Sequence, residues 1–178
     1  MYYLKDTGYI IKRVNISEAD RYITILTQNN GKIDVLAKGV RKLSSRRSPQ
    51  LELLNKISFQ AVGKTQNSRL VLTETRLVET HATLKNTLES MKVLFTICEL
   101  VSVLCPVNQR QEEVFSLVDK TLAGMGNTSY GLAVQSFQVK LLSLLGYWDA
   151  NRAFIDAADV AHFTESVMER KIRSSEFF

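Results

Sequence analysis

The 178-residue sequence predicts an α+β chain, with a small five-stranded β-barrel over residues 1–80 and an α-helical bundle over 81–178. Three observations lead there. Apolar residues tend to alternate with polar ones as far as residue 77, then adopt the three-and-four spacing of helices. Asn29-Asn30-Gly31 separates two β-branched runs, and these residue types accept positive φ most readily. Positive charge is concentrated in the first half, with 14 Lys+Arg against 7 Asp+Glu over residues 1–80 and 9 against 11 over 81–178.

The first strand is expected from Tyr9, with Tyr9, Ile11 and Arg13 on one face and Ile10, Lys12 and Val14 on the other. Residues 22–27 form the second. Ile33, Val35 and Ala37, alternating with Asp34, Leu36 and Lys38, form the third. Ile57, Phe59 and Ala61 mark a fourth strand and residues 70–77 a fifth, joined by a polar turn over 63–68. Closure into a barrel removes the exposed edges that such short strands would otherwise leave.

Past His81, a helix carries Leu84, Leu88, Met91, Phe95, Cys98 and Val101 and ends at Pro106. A second begins near Arg110, with Glu112 and Glu113 in its first turn, where they suit the positive end of the helix dipole. A third covers about 130–145 and buries Val134, Phe137, Leu141, Leu144 and Leu145, with Gly146 as its C-terminal cap. A short last helix carries Val160, Phe163 and Val167 and extends to Ile172.

Several function classes fail for want of parts. No apolar run approaches the ~20 residues of a membrane helix, and the N-terminus lacks a signal-peptide layout, so a soluble cytoplasmic protein is expected. Cys98 and Cys105 lie two turns apart on one helix face, too far for a disulfide and too few for a structural zinc site; both are expected as buried thiols. His81 is expected as a strand-to-helix boundary residue and His162 as partly exposed, neither beside a nucleophile motif. Adjacent Glu112 and Glu113 point about 100° apart on a helix and cannot pair as acid and base. The glycines of 124–131 lack the phosphate-loop pattern. No enzymatic activity, metal or other cofactor is expected.

The positive charge has a focus. Residues 38–47, between the third and fourth strands, carry Lys38, Arg41, Lys42, Arg46 and Arg47 and no acid. An unneutralised cationic loop suits a polyanion partner. The expected phosphate contacts are Arg41, Lys42, Arg46 and Arg47, supported by Lys38, Arg13, Arg21 and Lys32; for Arg21 an ion pair with Glu18 or Asp20 is the alternative. Tyr2, Tyr3, Tyr22 and Phe59 are the aromatic candidates for base stacking, with Phe59 better suited to the core.

A barrel bearing a basic loop and followed by helices resembles an OB-fold protein. Tyr9-Ile10-Ile11-Lys12-Arg13, Ser17-Glu18-Ala19-Asp20-Arg21, Gly31-Lys32-Ile33 and Ala37-Lys38-Gly39-Val40-Arg41-Lys42 resemble, in order and spacing, the opening of the RecO family of bacterial DNA repair proteins. Phe137-Gln138-Val139-Lys140-Leu141-Leu142 with Leu145-Gly146-Tyr147 resembles the family's helical signature, and the closing residues 169–178 the end of its last helix.

The resemblance implies a recombination mediator that binds single- and double-stranded DNA, anneals complementary strands, and acts with RecR to load RecA onto strands coated by single-stranded DNA-binding protein (SSB). It also implies binding of the acidic, Phe-ending tail of SSB by the helical half, with Lys140 and Arg110 as candidate contacts; a solvated lysine on a packing helix is the alternative for Lys140. Many relatives carry a zinc-binding insertion after the Leu-Gly-Tyr signature. Here about twenty cysteine-free residues separate Tyr147 from the closing motif, which implies a short form without zinc. The competing reading is a protein-interaction adaptor of the recombination machinery with weak or no intrinsic DNA binding.

Overall fold

The computed structural model describes residues 1–65, 68–127, 129–149 and 156–175. Glu176, Phe177 and Phe178 of the closing motif, and the tip of the turn over 63–68, lie outside the described residues. The chain forms two units: Met1–His81 together with Pro106–Glu112, and Ala82–Cys105 together with Glu113–Phe178.

In the first unit, five strands close a barrel: β1 (Tyr2–Asn15), β2 (Arg21–Thr27), β3 (Gly31–Ala37), β4 (Lys56–Gly63) and β5 (Leu70–Glu79). Their order around it is β1-β2-β3-β5-β4, with β3 and β5 parallel and the other pairs antiparallel. Alternation directs Ile23 and Ile25, Ile33 and Val35, and Ile57 and Phe59 inward to one apolar core.

Strand β1 departs from the sequence reading. It starts at Tyr2 rather than Tyr9, and its first half pairs with β4 while its second half pairs with β2. Gly8 stands at the changeover and pairs with both Thr27 and Ile57. A Cβ there would meet Ile25 Cγ2 at 2.5 Å and the Leu26 carbonyl oxygen at 2.7 Å, so glycine permits the close strand approach. The register also shifts between Ile10 and Lys12. The shift interrupts strict alternation, and Tyr9, Ile10 and Ile11 are all buried, although only Ile10 belongs to the barrel core.

The β2–β3 hairpin turns through Gln28, Asn29 and Asn30 and re-enters the sheet at Gly31, whose φ is +70°. The buried Asp6 carboxylate holds this turn. It accepts hydrogen bonds from the backbone N–H of Thr7 (2.8 Å) and Asn29 (3.1 Å) and from the side-chain amides of Asn29 (2.8 Å) and Asn30 (2.7 Å).

The connection between the first two helices also belongs to this unit. Val107 forms a parallel bridge with Lys32, and the Asn108 N–H donates to the Lys32 carbonyl at 2.8 Å. The second helix therefore begins at Glu112, not near Arg110: Val107 bridges β3 and the chain turns at Asn108, whose φ is +58°, before the helix starts.

The second unit contains α1 (Leu88–Leu104), α2 (Glu112–Gly124, whose first residue groups with the barrel), α3 (Tyr130–Leu144) and α4 (Ala157–Met168). Thr87 caps α1 by accepting from the Ser90 N–H, and Asp156 caps α4 by accepting from the Asp159 N–H. Leu84 falls in a short 3-10 turn before α1, Leu144 is exposed rather than buried because α3 ends there, and Ile172 lies buried beyond the end of α4. Gly146, at φ +78°, ends α3, and the Tyr147 N–H returns to the Leu142 carbonyl. Leu142, Trp148 and Val160 form a core, with Phe163 edge-on to Trp148. Cys98 and Cys105 are buried thiols.

Glu99 of α1 ties down the chain after α4. Its carboxylate accepts from Arg170 Nη2 (3.0 Å) and from the backbone N–H groups of Arg173 (3.1 Å) and Ser174 (2.8 Å). Hydrogen bonds to a charged group contribute about 1.5–3 kcal/mol each, partly screened at this site's edge. Glu99→Ala is expected to lower stability by about 2–3 kcal/mol in urea unfolding, with Glu99→Gln intermediate.

Candidate nucleic-acid interface

The connection from β3 to β4 is a cationic loop with a buried root. Gly39, at φ +68°, turns the chain away from β3, and its N–H donates to Asp20 Oδ1 at 2.8 Å. Val40 and Leu51 enter the barrel core on either side of the loop's tip. The Arg41 N–H donates to the Ala19 carbonyl at 3.0 Å, and its guanidinium donates to the Ser17 carbonyl.

Arg47 closes the other flank. Its Nη2 donates to the Lys38 carbonyl at 2.8 Å and its Nη1 to the Leu72 carbonyl at 3.1 Å, joining the loop to β5. Between these anchors residues 41–44 and Arg46 are exposed, with Leu43 fully so. The side chains of Lys38, Lys42 and Arg46 are exposed and make no ion pair among the described residues. Lys38, Arg41, Lys42 and Arg46 thus share one loop without an acid partner among the described residues, the Arg41 guanidinium being exposed while it donates to the Ser17 carbonyl.

Other residues expected to support them are otherwise engaged. Arg13 is half-buried and ion-paired with Glu52, which leaves its charge neutralised. Lys32 is 6% exposed on β3, where residues 106–112 run alongside, so it is not presented to a phosphate. Arg21 is half-buried and donates from Nε to Asn15 Oδ1 at 2.9 Å, rather than pairing with Glu18 or Asp20. Arg47 fastens the loop through the carbonyls just described, which makes it a positioning residue more than a free contact. Phe59 is buried in the core, Tyr2 packs against it, and Tyr3 is exposed with its hydroxyl on Met1 Sδ.

The sequence reading misses one residue. Arg69, just before β5, places its guanidinium over the ring of Tyr22 on β2, 5.6 Å from the ring centroid. Both belong to the outer face, because Leu70 and Ile23 beside them point inward. No local pattern marks Arg69; the parallel pairing of β5 with β3, at Val35 with Leu70, carries it there.

Of the helical candidates, Arg110 is exposed, lies in the segment beside β3 and is ion-paired with Glu112, while Lys140 is exposed on α3. His81 sits at the strand-to-helix junction at φ +51°, its side chain covered and its Nδ1 3.3 Å from Glu79; His162 is exposed. Among the described residues no group of three His, Cys, Asp or Glu could hold a metal ion, and no helix is long and apolar enough to cross a membrane.

A closed barrel in the order β1-β2-β3-β5-β4, with a rooted cationic loop and a following helical unit, defines an OB-fold protein of α+β class. The chain belongs to the RecO family of DNA repair proteins. Family models described as recombination protein O N terminal and C terminal match residues 1–81 and 85–148.

Among similar proteins, the DNA repair protein RecO of Acetivibrio thermocellus is 32% identical over 150 residues, covering 83% of this chain and 59% of the relative. That of Symbiobacterium thermophilum is 30% identical over 143 residues, covering 79% and 55%. That of Dehalococcoides mccartyi is 30% identical over 146 residues, covering 80% and 56%. The chain therefore spans little more than half the length of these relatives.

Proposed function

We propose that this chain binds single- and double-stranded DNA as a non-enzymatic mediator of recombination and repair, with Lys38, Arg41, Lys42 and Arg46 as its phosphate contacts. The observation that carries this reading is the loop's construction: exposed cations without acid partners, on a root fixed by Val40, Leu51 and Arg47. A fixed array of cations releases condensed counterions from a phosphate backbone, which gives affinity independent of base sequence. Holding strands by the backbone leaves most bases free to find a complement, which suits annealing.

Family membership supports the wider role. In that role the chain assists RecA loading on SSB-coated strands together with RecR, and Lys140 or Arg110 contributes to capture of the SSB tail. The Arg110–Glu112 ion pair makes Lys140 the more available cation of the two.

The test is fluorescence anisotropy with a labelled single strand across a salt series, comparing wild type with Lys38→Glu, Arg41→Glu, Lys42→Glu and Arg46→Glu combined. Four phosphate contacts give a slope of log K against log salt of about −3 for a single strand. The combined variant is expected to keep the wild-type circular dichroism spectrum and lose more than 100-fold in affinity at low salt. Equal binding by both proteins removes the loop from the mechanism. Weak, salt-insensitive binding by the wild type favours the adaptor role instead.

A further inference from the structure

We infer that Arg69 and Tyr22 form a nucleobase-stacking platform beside the cationic loop, so that a single strand is held at a base as well as at its phosphates. This inference rests on the DNA-binding reading above and adds to it a residue pair that distinguishes unpaired from paired DNA.

Three features of the barrel surface carry it. First, the pair is preassembled: the Arg69 guanidinium lies over the Tyr22 ring, with Tyr22 half-buried and Arg69 exposed. A guanidinium supported on one side by an aromatic ring can present its other side to a base, and Arg planes and aromatic rings are the usual stacking partners of unpaired bases. Second, neither side chain is consumed by the fold. Among the described residues no ion pair engages Arg69, and the Tyr22 hydroxyl makes no hydrogen bond.

Third, the surroundings favour a base over a phosphate at this point. Asp34 is exposed on the same outer face; it pairs with Thr24, one outward position along β2 from Tyr22. Its carboxylate repels a phosphate, and beyond its bond from Thr24 Oγ1 it retains acceptor capacity for the exocyclic amino group of a base. The cationic loop is close at hand. Tyr22 pairs with Leu36, and Lys38 follows two residues later, in the turn just past the end of β3 and no more than about 7 Å of chain away. That separation is comparable with one nucleotide step, so phosphates on the loop and a base on the platform can belong to one strand. A base inside a duplex is stacked and paired, and its face is not available to Arg69.

The test uses the full chain with Arg69→Lys, which keeps the charge and removes the guanidinium plane. Three ligands share a length and fluorophore: an oligothymidine strand, an abasic strand with the same phosphates, and a duplex. Base stacking on a side chain is worth about 5- to 150-fold per base. Arg69→Lys is expected to weaken oligothymidine binding about tenfold, leave the abasic strand and duplex unchanged, and keep the salt slope of the wild type. Tyr22→Leu is expected to reproduce the pattern. Equal oligothymidine affinity for Arg69→Lys and wild type overturns the platform, and so does an equal loss on the abasic strand, which would assign Arg69 to a phosphate. The combined loop variant separates the two readings. If it loses binding while Arg69→Lys does not, the platform alone fails; if wild type binds none of the ligands at low salt, both fail.

Discussion

Replacing Gly31 with alanine is expected to destabilise the barrel unit by about 3–5 kcal/mol. The residue has a φ of +70°, and holding an L-residue in the left-handed region costs about 1–2 kcal/mol. The larger contribution is steric. A Cβ at Gly31 would lie 1.7 Å from the Gln109 carbonyl oxygen and 2.5 Å from its carbon, both backbone atoms that no rotamer change can move. Residues 106–112 must lift, breaking the Asn108 hydrogen bond to the Lys32 carbonyl and the bridge from Val107. Gly39 supplies the control. Its φ is +68°, but a Cβ there would meet nothing within 4 Å, so Gly39→Ala is expected to show the conformational cost alone, about 1 kcal/mol. Urea unfolding of the two variants measures the difference. Equal destabilisation would mean that residues 106–112 do not press on the hairpin.

Removal of the Asp6 carboxylate is the second large effect, with Asp6→Ala expected to lose about 3–5 kcal/mol. One buried side chain satisfies four N–H donors, three of them in Asn29 and Asn30 at the hairpin turn. Alanine leaves all four without this acceptor, and a buried donor left unmade costs about 1–3 kcal/mol, reduced where water can reach the turn. Asp6→Asn keeps the shape but turns an amide group toward donors, so it is expected to recover less than half of the loss. Urea unfolding reads the stability, and hydrogen exchange at the Asn29 and Asn30 amides reports the turn itself. A change of less than 1 kcal/mol for Asp6→Ala would show that the turn holds without it.

The two effects converge on one place. Asp6 fixes the inner side of the β2–β3 hairpin, and Gly31 allows residues 106–112 to run along its outer side. Lys32 lies between them, which explains why its outward position in the alternating pattern does not make it a free cation. Alternation reports which face a side chain takes; it does not report whether another segment lies on that face. The residues beside Lys32 are distant in sequence, and their own pattern resembles a helix approach.

Arg13 and Arg47 teach a related lesson. Arg47 reads as a phosphate contact in the sequence because it lies in the cationic stretch, and Arg13 as a supporting contact from a neighbouring strand. Arg13 meets Glu52 across the fold, and Arg47 meets the carbonyls of Lys38 and Leu72. A guanidinium carries five donors in a fixed fork, so it serves equally well to bind an anion or to gather carbonyls. Only tertiary neighbours decide between those roles.

The amino-acid sequence by itself determined the division into strands and helices, the hairpin at Asn29-Asn30-Gly31, the inward face of β3 and β4, the cap at Gly146 and the cationic loop. These depend on local periodicity, turn chemistry and charge density, which act between residues close in the chain. The tertiary structure alone decided the sharing of β1 between β2 and β4 at Gly8, the docking of residues 106–112, the division of the basic residues into free and engaged, and the meeting of Arg69 with Tyr22. Each of these depends on closing the barrel through the parallel β3–β5 pair, a contact between distant segments whose register no local pattern encodes.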